Sequence, residues 1–380
     1  MDFSLSDEQV LLRDSVRRFV EKDYEFEKRR ALLKSELGFS RQNVQRFAEL
    51  GWTSIPFAEA DGGLGGSAVD TMVVLEELGR GLVLEPYFTS IVFAGGFLRR
   101  ASAKLRERLI PGLIAGETLA AVAYAELDAR FELFHVGTRA KRVGGGFVLD
   151  GKKIAVLGGP SADVLIVSAR TAGDTREQDG ITLFAVDAKA KGVRRTDYRT
   201  VDGLRGSDVV FEGVSVSVDD VIGEVDGGLP LLNAVTDEAI VALGAEALGI
   251  MDVLYRSTLA YVKERKQFGV PIGSFQVLQH RLVDVFIECE QFKSMVYMAT
   301  MTRDASGDVG KAAAALKVQL GKSGRVVGQS AIQLHGGMGM TDELPVSHFF
   351  KRLTMLDLML GNADHHLGRY VALSQASSAG

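Results

Sequence analysis

The sequence predicts an α+β chain in three parts: an N-terminal α-helical domain, a middle antiparallel β-barrel domain and a C-terminal four-helix bundle. Three observations carry this. Apolar residues recur with a helical period as far as about Gly116, strand-like runs replace them from about Leu119 to Gly223, and the helical period returns after Gly228 and lasts nearly to the end. The expected domains are 1–118, 119–226 and 227–380. A length of 380 residues exceeds what one simple core holds, which suits two or three domains.

Taken in order, Ser6-Asp-Glu-Gln9 reads as a capping box, and Leu12, Val16, Phe19 and Val20 follow at the spacing of an amphipathic helix. Further helical stretches are interrupted by Ala58-Glu-Ala-Asp-Gly-Gly-Leu-Gly-Gly66. Those glycines follow no strand and match no P-loop, so a structural turn is expected there rather than a phosphate cradle. In the middle part, Phe147-Val-Leu and Lys152-Lys-Ile-Ala-Val-Leu flank Asp150-Gly151, which reads as a hairpin. Ala162–Ser168, Ile181–Val186 and Val209–Val216 add strands. Four helices are expected over Val241–Ala260, Leu278–Arg303, Lys311–Leu334 and Ser347–Ala372, followed by a frayed polar tail, Ser374–Gly380.

Composition excludes several functions. No apolar run reaches the eighteen or so residues of a membrane span, and the first residues lack the basic end and apolar stretch of a signal peptide. One cysteine, Cys289, rules out an internal disulfide and a multi-thiolate metal site, so a cytoplasmic, soluble protein is expected. With a net charge of −5 and scattered basic residues, nucleic acid is an unsuitable partner. Six histidines show no metal spacing, and His365 and His366 point to different helix faces.

Two segments carry the chemistry: Arg265-Lys-Gln-Phe-Gly-Val-Pro-Ile-Gly-Ser-Phe-Gln276 and Gln333-Leu-His-Gly-Gly-Met-Gly339. An arginine presents a planar fork of donors to pyrophosphate oxygens. A phenylalanine offers adenine a flat face, and paired glycines let a backbone approach a phosphate. The plain alternative is a helix-ending loop plus a glycine-rich turn.

Together the segments resemble the half-site with which acyl-CoA dehydrogenases grip the ADP end of FAD bound to a neighbouring subunit. The resemblance extends over nearly the whole chain through Asp2-Phe-Ser-Leu-Ser-Asp-Glu-Gln9, Pro56–Gly66, Glu76-Glu-Leu-Gly-Arg80, Gly203-Leu-Arg-Gly-Ser207 and Phe211-Glu-Gly-Val214. It is greatest to the small subunits of heteromeric bacterial members. It implies FAD, an acyl-CoA thioester, and a reaction in which a base removes the α-proton while the β-hydrogen leaves as hydride. By position it assigns Arg265, Gln267, Phe268, Gln333, Gly336 and Gly337 to the ADP part of FAD, and Asn362 to the pyrophosphate in place of a customary threonine.

Three departures from the family pattern matter. The ring-holding Thr-Glu-Pro-Gly-Ala-Gly-Ser-Asp-like stretch is replaced by Tyr124-Ala-Glu-Leu-Asp-Ala-Arg-Phe131. The Trp-Ile-Thr-Asn-Gly strand is replaced by Ala155-Val-Leu-Gly-Gly159. The two customary positions of the catalytic base hold Leu360 and Ala239, neither of which accepts a proton. The half that reaches a neighbour's FAD survives, whereas the half that holds this chain's own flavin ring is eroded. That asymmetry suits one subunit of an α2β2 assembly with a homologous chain; the other reading is a homotetramer with substitute residues.

Glu246, seven residues past Ala239 in an apolar segment, is the candidate relocated base; the alternative is a buried glutamate bonded to an arginine or histidine. Glu238 reads as a solvated helix residue, Tyr124, Glu126 and Arg130 as either a remodelled cleft or plain surface, and Arg205 as a contact for a CoA phosphate or, the preferred reading, a salt-bridge partner of Asp202 and Asp208. No metal is expected. The family implies an electron-transfer flavoprotein as electron acceptor. Two rival functions stand beside the dehydrogenase: a non-catalytic partner that only clamps FAD, and a flavin oxidase or monooxygenase on the same fold.

Overall fold

A computed structural model describes residues 4–305 and 307–379. The expected motif residues Asp2 and Phe3, and the last residue of the tail, Gly380, lie outside the described residues. The helices are α1 (Asp7–Asp23), α2 (Phe26–Lys34), α3 (Arg41–Glu49), α4 (Ala68–Arg80), α5 (Gly95–Leu98), α6 (Ala103–Ile114), α7 (Gly228–Glu264), α8 (Gln276–Asp304), α9 (Val309–His335), α10 (Pro345–Leu358) and α11 (Ala363–Ala379). A π-helical turn covers Tyr87–Ala94. The strands are β1 (Ala120–Ala123), β2 (Arg139–Val143), β3 (Gly146–Leu157), β4 (Val164–Arg170), β5 (Ile181–Asp187), β6 (Val193–Arg199), β7 (Arg205–Ser217), β8 (Val221–Ile222), β9 (Lys266–Gln267) and β10 (Val270–Pro271). The chain divides into two compact units, one of residues 1–30, 68–83 and 240–380, the other of 31–67 and 84–239.

The second unit is built on an eight-stranded sheet in the order β6-β7-β3-β2-β4-β5-β8, with β1 also on β4. The sheet is mixed rather than antiparallel: β1 and β2 both run parallel to β4. The β2–β3 hairpin, inserted between β1 and β4, supplies the long crossover that a parallel pair needs. The expected hairpin at Asp150-Gly151 is also displaced. Those two residues lie inside β3 at a bulge, where Asp150 accepts from the Gly213 amide at 2.7 Å, and the turn itself is Gly144-Gly145. A Cβ at Gly151 would collide with Thr138, so the glycine serves a close approach instead of a turn. Phe147, Leu149, Leu165, Val167, Phe184 and Phe211 form the core on the sheet.

The glycine loop after Phe57 is a structural turn. The amides of Gly62, Gly63, Gly65 and Gly66 donate to Glu59, Ala58, Phe57 and Ile55 carbonyls, which leaves no cradle for a phosphate. Arg170 organises another loop pair. Its buried guanidinium donates to the carbonyls of Val136, Phe134, Asp179, Thr175 and Glu177.

In the first unit, the capping box forms as the sequence indicates: the Gln9 amide donates to Ser6 Oγ at 3.2 Å, and the Ser6 amide to Gln9 Oε1 at 3.1 Å. Helices α4 and α7 cross at two glycines. A Cβ on Gly79 would strike the Glu246 carbonyl, and one on Gly249 the Glu76 carbonyl. The helical bundle differs from expectation at its end. The segment expected as one helix breaks into α10 and α11 at Met359–Asn362, where Leu360 (φ 59°) and Gly361 (φ 98°) both leave the right-handed region. The tail expected to fray continues α11 through Ala379. Among the described residues, no helix is long and apolar enough to cross a membrane.

Candidate functional site

The two segments singled out in the sequence meet at one end of the bundle. Helix α7 ends at Glu264, and β9 and β10 form a two-residue hairpin whose tip is Phe268-Gly269. Phe268 adopts φ 53°, unusual for a side chain with a Cβ, and its ring is 92% exposed. The Phe275 ring meets it edge-on at 6.2 Å, so the exposed ring has a support. Arg265 continues the helical hydrogen bonding to Tyr261 while its carbonyl accepts from Ile272, which closes the hairpin base. The Gln267 side-chain Nε2 donates to the Lys266 carbonyl at 2.8 Å.

Helix α9 ends beside this hairpin. Gln333 is exposed, Gly336 turns the chain at φ 61°, and space around both Gly336 and Gly337 is open where a Cβ would project. The join between the segments is a contact that the sequence reading missed. Tyr261 on α7 stacks on His335 at 4.3 Å and 25°, and its hydroxyl lies 3.5 Å from the His335 carbonyl. His335 Nδ1 faces the Ala331 carbonyl at 2.8 Å, so Nδ1 carries the proton. Burial holds the His335 pKa below its ordinary value. The sequence signal available was an aromatic four residues before Arg265 and a histidine two after Gln333.

These residues fit an adenosine diphosphate moiety. A flat exposed ring, one guanidinium fork, two carboxamides and an unobstructed glycine backbone are what a base and a pyrophosphate require. Asn362 does not join them. It caps α11 by accepting from the His365 amide at 3.0 Å, beside the turn that Lys317 of α9 touches through Met359. Lys317 and Gln333 are sixteen residues apart on α9, about 24 Å along its axis. One pyrophosphate cannot touch both ends.

The candidate base has a partner. Glu246 accepts from Arg352 Nε at 2.6 Å and Nη2 at 2.9 Å, with both side chains about one-tenth exposed. Both carboxylate oxygens are engaged by a guanidinium, which is the structural alternative set beside the catalytic one. Leu360 and Ala239, at the customary base positions, are buried.

The residues of the ring-holding side belong to the second unit. Ala155 sits at φ 51° within a register shift of β3 against β7, and Tyr124 meets Phe93 edge-on at 5.9 Å. Glu126 is a fixed anchor rather than a cleft group. It accepts from the Gly137 and Thr138 amides and from the fully buried Lys153 at 2.7 Å, and these contacts hold its pKa down against the opposing effect of burial. Arg205 donates to the carbonyls of Gly203, Leu33 and Ser35, and Asp208 pairs with Lys152. Glu238 is not solvated either, being held by Arg99 and Arg100. Cys289 is buried in its helix, where burial pushes the thiol up to about 12. Among the described residues, no histidine, cysteine or carboxylate cluster could hold a metal ion.

Comparison with known proteins covers both units. Family models described as the N-terminal, middle and C-terminal domains of acyl-CoA dehydrogenase match residues 6–117, 121–214 and 226–371. Mitochondrial isovaleryl-CoA dehydrogenase of Solanum tuberosum is 30% identical over 317 residues, 82% of this chain and 76% of its own. The ChsE4-ChsE5 complex from Mycobacterium tuberculosis contains a chain with a TM-score of 0.90 and 26% identity, over 99% of each chain. The FAD complex of PigA gives a TM-score of 0.92 at 26% identity, again over 99% of each.

Proposed function

Because this chain belongs to the acyl-CoA dehydrogenase family, we propose that it is a subunit of an FAD-dependent oxidoreductase that converts an acyl-CoA thioester to the 2,3-enoyl-CoA. Its own share is the ADP clamp, supplied to FAD whose ring lies in a homologous partner of an α2β2 assembly. FAD, when bound, supplies the hydride acceptor for the β-hydrogen. Within this chain, Phe268 stacks on the adenine, Arg265 and the Gln267 and Gln333 carboxamides donate to the diphosphate and ribose, and Gly336-Gly337 lets the backbone come close.

What carries the reading is an asymmetry. The clamp is presented and supported, with an exposed Phe268 braced by Phe275 and locked to α9 through Tyr261 and His335. The positions considered for proton abstraction offer no free base: Leu360 and Ala239 accept no proton, and Glu246 is committed to Arg352. Losing a positioned base lowers turnover by about 10² to 10⁴. The α-proton is therefore removed by the partner's residue. We read the chain as akin to the small subunit of pimeloyl-CoA dehydrogenase, and ChsE4-ChsE5, a two-component relative, is in keeping with a heteromer. An electron-transfer flavoprotein takes the electrons onward.

The test is the FAD content and light-scattering mass of the chain purified alone and after co-expression with an intact homologue. Little FAD alone, recovered in an assembly of twice two chains, is the expected result. A yellow homotetramer with about one FAD per chain would overturn the clamp reading and make Tyr124 and Ala155 part of a working ring pocket.

A further inference from the structure

Lys317, in the first third of α9, is fully buried and makes no salt bridge among the described residues. Its Nζ donates to three main-chain carbonyls at the end of α10: Leu356 at 2.7 Å, Asp357 at 2.8 Å and Met359 at 2.7 Å. Three acceptors use all three hydrogens of an ammonium. A neutral amine has only two and would turn its lone pair toward the third carbonyl. Helix C-termini leave their last carbonyls unpaired and carry partial negative charge, and a cation placed there answers both.

The turn that follows is one a chain does not adopt unaided. Leu360 and Gly361 take positive φ in succession, and for a leucine that conformation is costly. His366 holds the other side: its Nε2 donates to the Leu360 carbonyl at 2.8 Å, and a Cβ at Gly361 would strike His365 and His366. Asn362 then caps α11.

We infer that Lys317 is a positioning residue whose ammonium fixes the Met359–Asn362 turn and so sets where Leu360 and Asn362 are presented. The inference stands apart from the proposed function, which gives Asn362 no cofactor role; the turn is a property of this chain alone. Among the charged and titratable groups around it, Arg352 on α10, paired with Glu246, reaches Met359 Sδ with Nη1 at 3.9 Å. Asp357 on α10 spends an oxygen on the Ala363 amide at 3.2 Å, and His365, His366 and Arg369 lie on α11. Glu288 on α8 is engaged by Gln319, Ser323 and Lys322. Burial pulls the Lys317 pKa down to about 7 against the weaker pull of Asp357, which brings the proton within reach of titration.

The experiment is a pH titration, from about 6 to 11 so that an unshifted lysine is also covered, of full-length protein labelled with ¹³C at methionine methyls, in the wild type and in Lys317→Leu, with FAD retention by the co-expressed assembly read in the same samples. The Met359 methyl should shift with a single midpoint near the lysine's value in the wild type and stay flat in the variant. A flat wild-type signal overturns the inference, as does the same midpoint in Lys317→Leu, and the wild-type curve alone decides if the variant does not fold. Titration of Met359 with FAD retention unchanged upholds the inference and keeps Asn362 outside the cofactor site, whereas loss of retention in step with Met359 upholds the inference but overturns the exclusion of Asn362.

Discussion

The Glu246–Arg352 pair gives the sharpest test of what this chain does for itself. Glu246→Gln keeps the side-chain shape but replaces one oxygen with an amide nitrogen, so a donor meets one of the Arg352 nitrogens that now bond Oε1 and Oε2 at 2.6 and 2.9 Å. With both side chains about nine-tenths buried, water relieves little of this. Removing one partner of a buried pair costs about 3–5 kcal/mol, whereas replacing both by apolar groups of similar volume is often neutral. Glu246→Gln should therefore lose about 3–5 kcal/mol in urea unfolding followed by circular dichroism, a large part of an ordinary domain's stability. Glu246→Met with Arg352→Met should recover most of it, and a cycle completed with the two single Met variants should give a coupling energy well above the roughly 0.5 kcal/mol of independent sites. Turnover per bound FAD in the assembled enzyme should stay unchanged. A stability loss below about 1 kcal/mol, together with a fall in turnover of about 10² or more, would refute this reasoning and restore Glu246 as a base.

Phe268→Ala should weaken FAD retention by the co-expressed assembly about tenfold or more, since a base on an aromatic ring contributes about 1–3 kcal/mol, while Asn362→Ala should leave it unchanged; equal losses would mean that both ends of α9 hold cofactor. Gly249→Ala should lower the unfolding midpoint by the equivalent of about 1–3 kcal/mol, because its Cβ meets the Glu76 carbonyl; an unchanged midpoint would mean that α4 and α7 can move apart. Lys317 titrates near 7 in the folded chain but near 10.5 unfolded, so between these values the unfolded state binds more protons and stability should rise with pH, by up to a few kcal/mol. Lys317→Leu should flatten that part of the stability–pH curve. Arg170→Lys should expose residues 131–138 and 171–180 to limited proteolysis, because a lysine's three donors cannot replace a fork serving five carbonyls.

What the sequence made legible, and what it hid, divides by range. The Ser6–Gln9 box, the amphipathic period of α1 and the strand runs depend on neighbours a few residues away, and they formed as their spacing indicates. Asp150-Gly151 misled because a bulge and a hairpin turn ask for the same residue types; the choice was made by Gly144-Gly145 upstream and by Thr138 pressing on Gly151. Glu246 and Glu238 were ambiguous because their partners, Arg352 and Arg100, lie more than a hundred residues away. The break after α10 had one local sign, Gly361; the forces that hold Leu360 come from Lys317 and His366, neither marked by any motif. The same distinction bears on function. Resemblance assigned seven cofactor residues by position, and position alone cannot say that they share a place. Six gather where α7, α8 and α9 meet, because the Tyr261–His335 stack and the core of Val262, Leu282 and Leu334 draw those ends together. Asn362 lies at the far end of α9, so the chain offers two separate contact points, and a single pyrophosphate can use only one. A clamp-only subunit would need just the six, which is why Phe268 and Asn362 should part company when each is removed.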